Sequence, residues 1–413
     1  MRPPRNVGVV KDPLIVYRGA ALADGKSPQL RTGVSILVVG DRIEWIRPSE
    51  SEPAIGEGAK VIDARGSTIV PGLVDCHSHL TMPGGSHWIE RGTDPPETCV
   101  ANAEHNGRLL SRSGVRWARD VGSPRGVDPT DRRDRALALG VRDRWRGRRD
   151  RPYVRAAGTW IAKAGYLPGV AISVSTPEEM LTAARQQLDE GADLLKLMMD
   201  SPRAPDGSVP EASPWTADEL RPVIEMARSR GAFVTAHTST LPGARAAVEA
   251  GIHSLEHGFS IDAELAKTMA RHGVFHVSTL AVFRSWVTFA RTSPGAPVAS
   301  ARTQELLPKR RAAAVESLRL THAAGVRIAA GTDFGGGSLR ANQLAWEVEA
   351  LVEAGLAPWE ALGAATHRGG ELLGEPEAGT LRDGGPADFI LVHGDPLDDP
   401  RSLWRVWRTA WEP

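Results

Sequence analysis

The chain has 413 residues, 41% of them apolar, which is enough for one large domain or two ordinary ones with a proper core. Lys plus Arg and Asp plus Glu each number 50, so no overall basic field exists to recruit nucleic acid or a membrane surface. The sequence shows no apolar stretch near the ~20 residues of a membrane span, no secretory signal pattern and only two cysteines, so we expect a cytoplasmic protein.

Both ends of the chain carry a β-rich pattern. Residues 1–68 contain the alternating runs LIVYRGAALADG, GVSILVVGDRIEWI and KVIDARGSTIV, and residues 376–413 contain GTLRDGGPADFILVHG. The turn signals DG, GDR and DGG separate the runs. We therefore predict a small β-sandwich domain built from both chain ends.

Between about residues 111 and 335, inside a predicted domain of residues 69–375, one unit repeats: a helical pattern, a glycine, and a short apolar run that ends in a polar residue. Glycine suits the position just past a helix, and alternating helices and strands imply parallel strands with crossover helices. The copies read SRSGVRWARD, LDEGADLLKLM, RSRGAFVTAH, VEAGIHSLEH, ARHGVFHVST and HAAGVRIAAGTD. With strands predicted at 71–76 and 151–158 the count reaches eight, which indicates an α/β fold of the (β/α)8 TIM-barrel type.

The first of these strands ends in an unusual way, in the stretch GLVDCHSHL. Side chains two apart on a strand share a face, so Asp75, His77 and His79 point to one side. Such a strand end offers two imidazole nitrogens to one metal ion. The same pair of histidines could also cap a strand without any ligand.

The later repeats place further polar residues at the same height. Each is measured from the glycine of its repeat: Lys196 is five residues after Gly191, His237 six after Gly231, His257 six after Gly251, Thr279 six after Gly273 and Asp333 eight after Gly325. The C-terminal ends of parallel barrel strands form one rim, where active sites occur. Four histidines, a lysine and an aspartate are thus predicted to converge there.

Lys196 lies inside the apolar run DLLKLMM, although only seven of the 50 basic residues are lysine. Burying an ammonium costs several kcal/mol unless it is paired, and desolvation favours the neutral amine. A neutral amine can take up carbon dioxide to form a carbamate, which is able to bridge two cations. The alternative is an ion pair between Lys196 and Asp333.

Taken in order, GLVDCHSHL, DLLKLM, TAHTST, SLEHG and AAGTDFGG resemble the amidohydrolase superfamily, and the SLEHG form is similar to its imidazolonepropionase-like and prolidase-like branch. The resemblance implies two divalent ions, usually zinc. The ligands it implies are His77, His79 and Asp333 on one ion, His237 and His257 on the other, and carboxylated Lys196 between them.

The resemblance implies hydrolysis of an amide or peptide C–N bond by a metal-bridging hydroxide, with Asp333 as general base and then acid. A dipeptide or modified peptide is the first substrate expected, and a cyclic amide the second. Deaminases of this fold typically carry a glutamate shortly after the histidine at position 237, where this chain has Thr238, Ser239 and Thr240. Ester or phosphotriester hydrolysis stays open, whereas a non-catalytic scaffold should lack ligands.

The loops after the strands depart from many relatives. GTWIAKAGYLPG stands where prolidase-like members carry a glycine-rich segment with a histidine, so Tyr166 either binds the substrate oxyanion or is a plain loop residue. Thr279 either contacts substrate or packs in the barrel. Residues 282–307 form a long insertion that could cover the site, with Arg284 and Trp286 as candidate contacts. The partner expected is a small-molecule or peptide substrate, and a homo-oligomer stays possible.

Overall fold

The computed structural model describes residues 13–55, 58–88, 90–200, 212–336 and 339–411. Within these ranges the strands are β1 Leu14–Leu22, β2 Arg31–Val39, β3 Arg42–Pro48, β4 Lys60–Asp63, β5 Ser67–Pro71, β6 Leu73–Ser78, β7 Val115–Asp120, β8 Arg125–Val127, β9 Asp134–Ala136, β10 Tyr153–Ala156, β11 Ile161–Lys163, β12 Ile172–Val174, β13 Leu194–Met198, β14 Phe233–Thr238, β15 Ser254–His257, β16 Phe275–Val277, β17 Phe389–His393 and β18 Val406–Thr409. The α-helices are α1 Pro96–Arg112, α2 Leu137–Trp145, α3 Pro177–Asp189, α4 Ala217–Ser229, α5 Leu241–Ala250, α6 Ala263–His272, α7 Ala281–Thr292, α8 Ala301–Ala323, α9 Leu344–Glu353, α10 Pro358–Ala364 and α11 His367–Leu373.

Strands from both ends of the chain share one seven-stranded sheet. Its order is β18-β17-β5-β1-β2-β3, and β4 also pairs with β1. The predicted GDR turn joins β2 to β3, where Val39 pairs with Arg42 and Gly40 has a φ of 63°. Tyr17, Ile36 and other buried apolar side chains form the core of this unit. Both chain ends therefore contribute to one β-rich unit, while its arrangement as two facing sheets stays a prediction.

Two parallel sheets carry most of the intervening chain. Their orders are β10-β7-β6 and β12-β11-β13-β14-β15-β16. Backbone contacts join them on both sides: residues 328–334 bridge to β16 through Ile328 and to β6 through Phe334, and the Asp193 amide donates to the Ala156 carbonyl at 2.9 Å. The mixed α/β class is confirmed. Because neighbouring strands run parallel, their C-terminal ends lie on the same side.

The repeating unit has the predicted local structure. The glycines of all six repeats have positive φ angles: Gly114 88°, Gly191 96°, Gly231 72°, Gly251 92°, Gly273 68° and Gly325 80°. This left-handed conformation is nearly free for glycine and ends each helix before the next strand. At the other end, Thr216 and Glu219 form a capping box that starts α4. Short local signals thus set where each helix ends and the next strand begins, and the site lies at the opposite, C-terminal ends of these strands.

Among the described helices, each is too short or too polar to cross a lipid bilayer.

Candidate metal centre

The predicted histidine ligands and Lys196 lie together at the C-terminal ends of the parallel strands. His77 is in β6 with His79 just after it, Lys196 is in β13, His237 is in β14, and His257 ends β15. Ring centroids are 5.3 Å apart for His77 and His79, 4.8 Å for His77 and His257, and 4.4 Å for His237 and His257. Four imidazoles from three strands therefore form one contiguous cluster.

Asp333 completes a compact donor set with the first two histidines. Its Oδ1 atom lies 3.4 Å from His77 Nε2 and 3.2 Å from His79 Nε2. One donor atom from each of the three side chains fits within 4.8 Å of the others. Burial alone would raise the pKa of Asp333, but the neighbouring histidines outweigh it and hold that pKa below its usual range. Two imidazoles and an ionised carboxylate are a set that zinc accepts.

The outer ring nitrogens of His77 and His79 are bound to the protein. His79 Nδ1 lies 2.8 Å from the Gly122 carbonyl oxygen, and His77 Nδ1 lies 2.7 Å from Glu256 Oε2. A carbonyl oxygen can only accept, so Nδ1 of His79 donates to it and the opposite ring nitrogen, Nε2, is directed toward Asp333. Burial lowers the pKa of His77, which favours the neutral ring. The Nε2 atoms of both histidines thus converge on one carboxylate oxygen of Asp333, an arrangement that a cation among the three atoms would stabilise.

The other two histidines also have a protein partner. His257 Nδ1 lies 2.8 Å from Thr279 Oγ1, which leaves Nε2 available as a ligand. His237 Nε2 lies 3.1 Å from Asp200 Oδ1, although the angle is outside hydrogen-bond geometry. Burial holds the pKa of His257 well below its usual value, so this ring is neutral. A neutral imidazole held by a second contact, as His257 is, is the usual form of a metal ligand.

Lys196 is almost completely buried, and its Nζ makes no hydrogen bond to any described residue. The ion pair with Asp333 considered from the sequence is therefore not formed. Desolvation lowers the pKa of Lys196 to about 8. A larger fraction of neutral amine is available near pH 7 than for an exposed lysine. A buried amine that lacks a hydrogen-bond partner among the described residues, and that loses its proton more readily than an exposed lysine, fits the requirements for a carbamate.

Backbone strain concentrates at the ends of these strands. Five non-glycine residues among those described have a positive φ, and three of them belong to this cluster: His257 at 67°, Thr279 at 50° and Asp333 at 58°. Left-handed backbone is unfavourable for a β-branched residue such as threonine. Strain of this kind persists where the surrounding structure imposes it, which is common at functional sites.

Two acidic residues near the cluster were missed by the sequence analysis. Asp200, two residues after β13, accepts hydrogen bonds from Thr238 Oγ1 at 3.1 Å and the Ser239 amide at 2.7 Å. Burial would raise the pKa of Asp200, but His237 and these donors lower it. The second missed acidic residue is Glu256, whose carboxylate contacts His77 Nδ1 at 2.7 Å. The sequence signal that could have identified them is an acidic residue in or just after an apolar run: Asp200 in KLMMD and Glu256 in SLEH.

The two residues predicted to contact substrate, Tyr166 and Thr279, lie in different surroundings. Tyr166 packs on the apolar cluster of Met82 and Trp160, and burial together with the charge of Asp200 raises its pKa; its contact with substrate stays a prediction. The Thr279 hydroxyl is hydrogen-bonded to His257, a candidate metal ligand, and its contact with substrate stays a prediction.

The insertion at 282–307 is mainly helical, since it runs through α7 into α8. Arg284 lies 3.0 Å from Glu349 and also contacts Glu353, so its guanidinium is held against α9 and the prediction of a substrate contact is not supported. Trp286 packs edge-on against Phe283.

The parallel strands and the histidine–carboxylate cluster define a metal-binding hydrolase class. The family model described as "Amidohydrolase family" matches residues 68–409. The chain therefore belongs to the amidohydrolase family, whose members generally bind divalent metals, and the predicted enzyme class and branch are confirmed.

Similar proteins cover nearly the whole chain. An ochratoxinase of Aspergillus niger is 27% identical over 425 residues, covering 95% of this chain and 85% of the relative. An imidazolonepropionase of Anaeromyxobacter dehalogenans is 27% identical over 419 residues, covering 91% and 89%. A crystal structure of an Xaa-Pro dipeptidase with bound methionine superposes with a TM-score of 0.80 at 24% identity, covering 95% of this chain and 97% of that one.

Proposed function

We propose that the protein is a metal-dependent amidohydrolase that cleaves the amide or peptide C–N bond of a dipeptide or modified peptide. The observation that carries the proposal is the convergence of the His77 and His79 Nε2 atoms on Asp333 Oδ1, together with a buried Lys196 amine that has no hydrogen-bond partner among the described residues. The names of the relatives, an ochratoxinase and an imidazolonepropionase, guide the choice of amide substrates to test.

The proposed cofactors are two divalent ions, both zinc. Their proposed ligands are His77, His79 and Asp333 for the first ion, His237 and His257 for the second, and carboxylated Lys196 for both. When bound, such a pair of ions would lower the pKa of a shared water toward neutrality and polarise the substrate carbonyl. Proton transfer and substrate binding would be carried out by side chains of the protein.

Asp333 is proposed as the proton carrier. Its low pKa keeps the carboxylate ionised at neutral pH, and its side chain is 12% exposed, whereas that of His77 is 1% exposed. The carboxylate would take a proton from the attacking water and deliver it to the leaving nitrogen. The C–N bond then breaks to give a carboxylate and an amine.

Aromatic side chains flank the cluster on two sides. The ring of Trp160 lies 5.1 Å from His79, and the ring of Phe259 lies 5.5 Å from His257. Phe259 also contacts Phe283 at 5.0 Å. Apolar walls beside the centre suit an amide whose two halves carry apolar groups, with Tyr166 proposed to bind the developing oxyanion.

The architecture proposed around this site is a (β/α)8 barrel of residues 69–375 with a β-sandwich domain of residues 1–68 and 376–413. The contacts of residues 328–334 with both β16 and β6 support closure of the barrel. The seven-stranded sheet takes strands from both terminal ranges, and its strand β5, Ser67–Pro71, extends three residues past the proposed boundary at 68. The shared sheet supports a unit built from both ends. A cytoplasmic location and a homo-oligomer stay predictions.

The test is a substrate panel on zinc-loaded protein, containing Xaa-Pro dipeptides, N-acyl amino acids and a five-membered cyclic amide. We expect release of a free amine from an acyclic amide without release of ammonia. Ammonia would indicate a deaminase, and hydrolysis of the cyclic amide alone would favour the second substrate class. Asp333→Asn is the control, because contaminating hydrolases would leave its preparation active.

A further inference from the structure

We propose that Glu256, held by Arg119, is a positioning residue that fixes His77 in the form able to bind metal; this inference rests on the proposed metal centre. Glu256 is completely buried. Its Oε2 atom lies 2.7 Å from His77 Nδ1, and its Oε1 atom lies 2.6 Å from Arg119 Nη2. Ser254 Oγ also donates to Oε1 at 2.9 Å. One carboxylate oxygen of Glu256, Oε2, therefore contacts the histidine, and the other, Oε1, contacts the arginine.

Arg119 is itself buried and tied to the strand that carries His77. Its Nε donates to the carbonyl of Cys76 at 2.6 Å, and its Nη1 donates to Ser254 Oγ at 3.0 Å. An isolated carboxylate in this interior would be strongly unfavourable, so the guanidinium is needed to keep Glu256 charged. The planar fork of arginine contacts the carboxylate, the backbone before His77 and Ser254 in one geometry.

The pair selects one tautomer of His77. An ionised carboxylate can only accept, so Nδ1 of His77 carries the proton and Nε2 presents its lone pair toward Asp333. In the other tautomer, the Nε2 proton would hydrogen-bond to Asp333, and both groups would be lost as ligands. The buried pair therefore keeps two members of the donor set available.

Glu256→Gln has a defined effect on this arrangement. Arg119 can only donate, so it should retain the amide oxygen of the glutamine, which turns the NH2 group toward His77 Nδ1. That contact favours the tautomer with the proton on Nε2. We expect zinc affinity, measured by competition with a chromophoric chelator, to fall 10- to 100-fold. Asp128→Asn is the matched control, because Asp128 is a buried carboxylate bound to Arg144 at 2.8 Å, and it should leave zinc affinity unchanged.

The spectroscopic readout is the ¹⁵N spectrum of histidine-labelled, metal-free protein. Wild-type His77 should show a protonated Nδ1, and the Glu256→Gln variant a protonated Nε2; a loss of packing alone would not exchange the two signals. A folded variant with wild-type zinc affinity and tautomer would overturn the inference. If the variant does not fold, a wild-type His77 with its proton on Nε2 would overturn it equally. Failure of the wild type to bind zinc would instead reject the proposed function.

Discussion

Replacing Lys196 with methionine should stabilise the metal-free protein while removing the second metal ion. Methionine has a similar length and shape and needs no hydrogen bond in the buried position that Lys196 occupies. Desolvation lowers the pKa of this lysine from 10.5 to about 8. Since a tenfold change in acid dissociation corresponds to about 1.4 kcal/mol, the buried ammonium destabilises the folded chain by roughly 3 kcal/mol near neutral pH.

The gain in stability depends on pH in a definite direction. Below about pH 8 the lysine is protonated in the folded and unfolded chains alike, so the whole penalty is present. Between about 8 and 10.5 the folded chain releases the proton while the unfolded chain keeps it, so the wild type gains stability as pH rises. The advantage of Lys196→Met should therefore be largest at pH 7 and much smaller near pH 10.

Denaturant unfolding, followed by tryptophan fluorescence in chelator-treated, bicarbonate-free buffer, measures this difference. Lys267→Met is the control, because Lys267 is exposed on α6 and its replacement should change stability by less than about 0.5 kcal/mol. A Lys196→Met variant that is less stable than wild type at pH 7, or equally stabilised at pH 7 and 10, would refute a desolvated amine. Lys196→Ala should lose activity and regain part of it with a small carboxylic acid.

Three further changes have defined outcomes. Asp333→Asn should keep most of the metal but lower kcat at least about 100-fold, because it removes the proton carrier. Metal analysis combined with kinetics measures both effects. An unchanged rate would exclude Asp333 as the base. Burial raises the pKa of Glu347 to about 7. As pH rises from about 4.5 to 7, the unfolding free energy of the wild type should therefore fall by up to about 3 kcal/mol relative to that of Glu347→Gln. A difference in unfolding free energy that stays constant with pH would contradict this. Gly122→Ala would place a methyl group 2.4 Å from the Trp160 ring, at a backbone φ of 146°. It should lower the unfolding midpoint, and it should weaken zinc binding because the Gly122 carbonyl holds His79. A wild-type midpoint and zinc affinity would exclude the close contact with Trp160.

The strand ends were predictable because their signals are local. Each repeat contains its own glycine, and the positive φ of Gly251, for example, ends α5 just before the strand that presents His257. Counting from such glycines places the polar residues at one height without knowledge of the rest of the fold. The convergence of the histidines with Asp333 follows from that regularity.

The supporting contacts were not predictable because they join distant parts of the chain. Glu256 and His77 are 179 residues apart, and nothing in the SLEH motif identifies which imidazole its carboxylate contacts. The partners of Arg284 were unpredictable for the same reason, since they lie 65 and 69 residues away on α9. Alternating runs predicted strands at both chain ends, but alternation does not specify how a sheet folds on itself.

The most direct test of the account is the zinc content per chain of protein loaded with zinc and bicarbonate and then freed of loose metal. We predict two ions per chain in the wild type and no more than one in Lys196→Met, because only the set of His77, His79 and Asp333 stays complete in the variant. One ion per chain in the wild type would contradict the bridged centre and would favour a cyclic amide hydrolase or a deaminase.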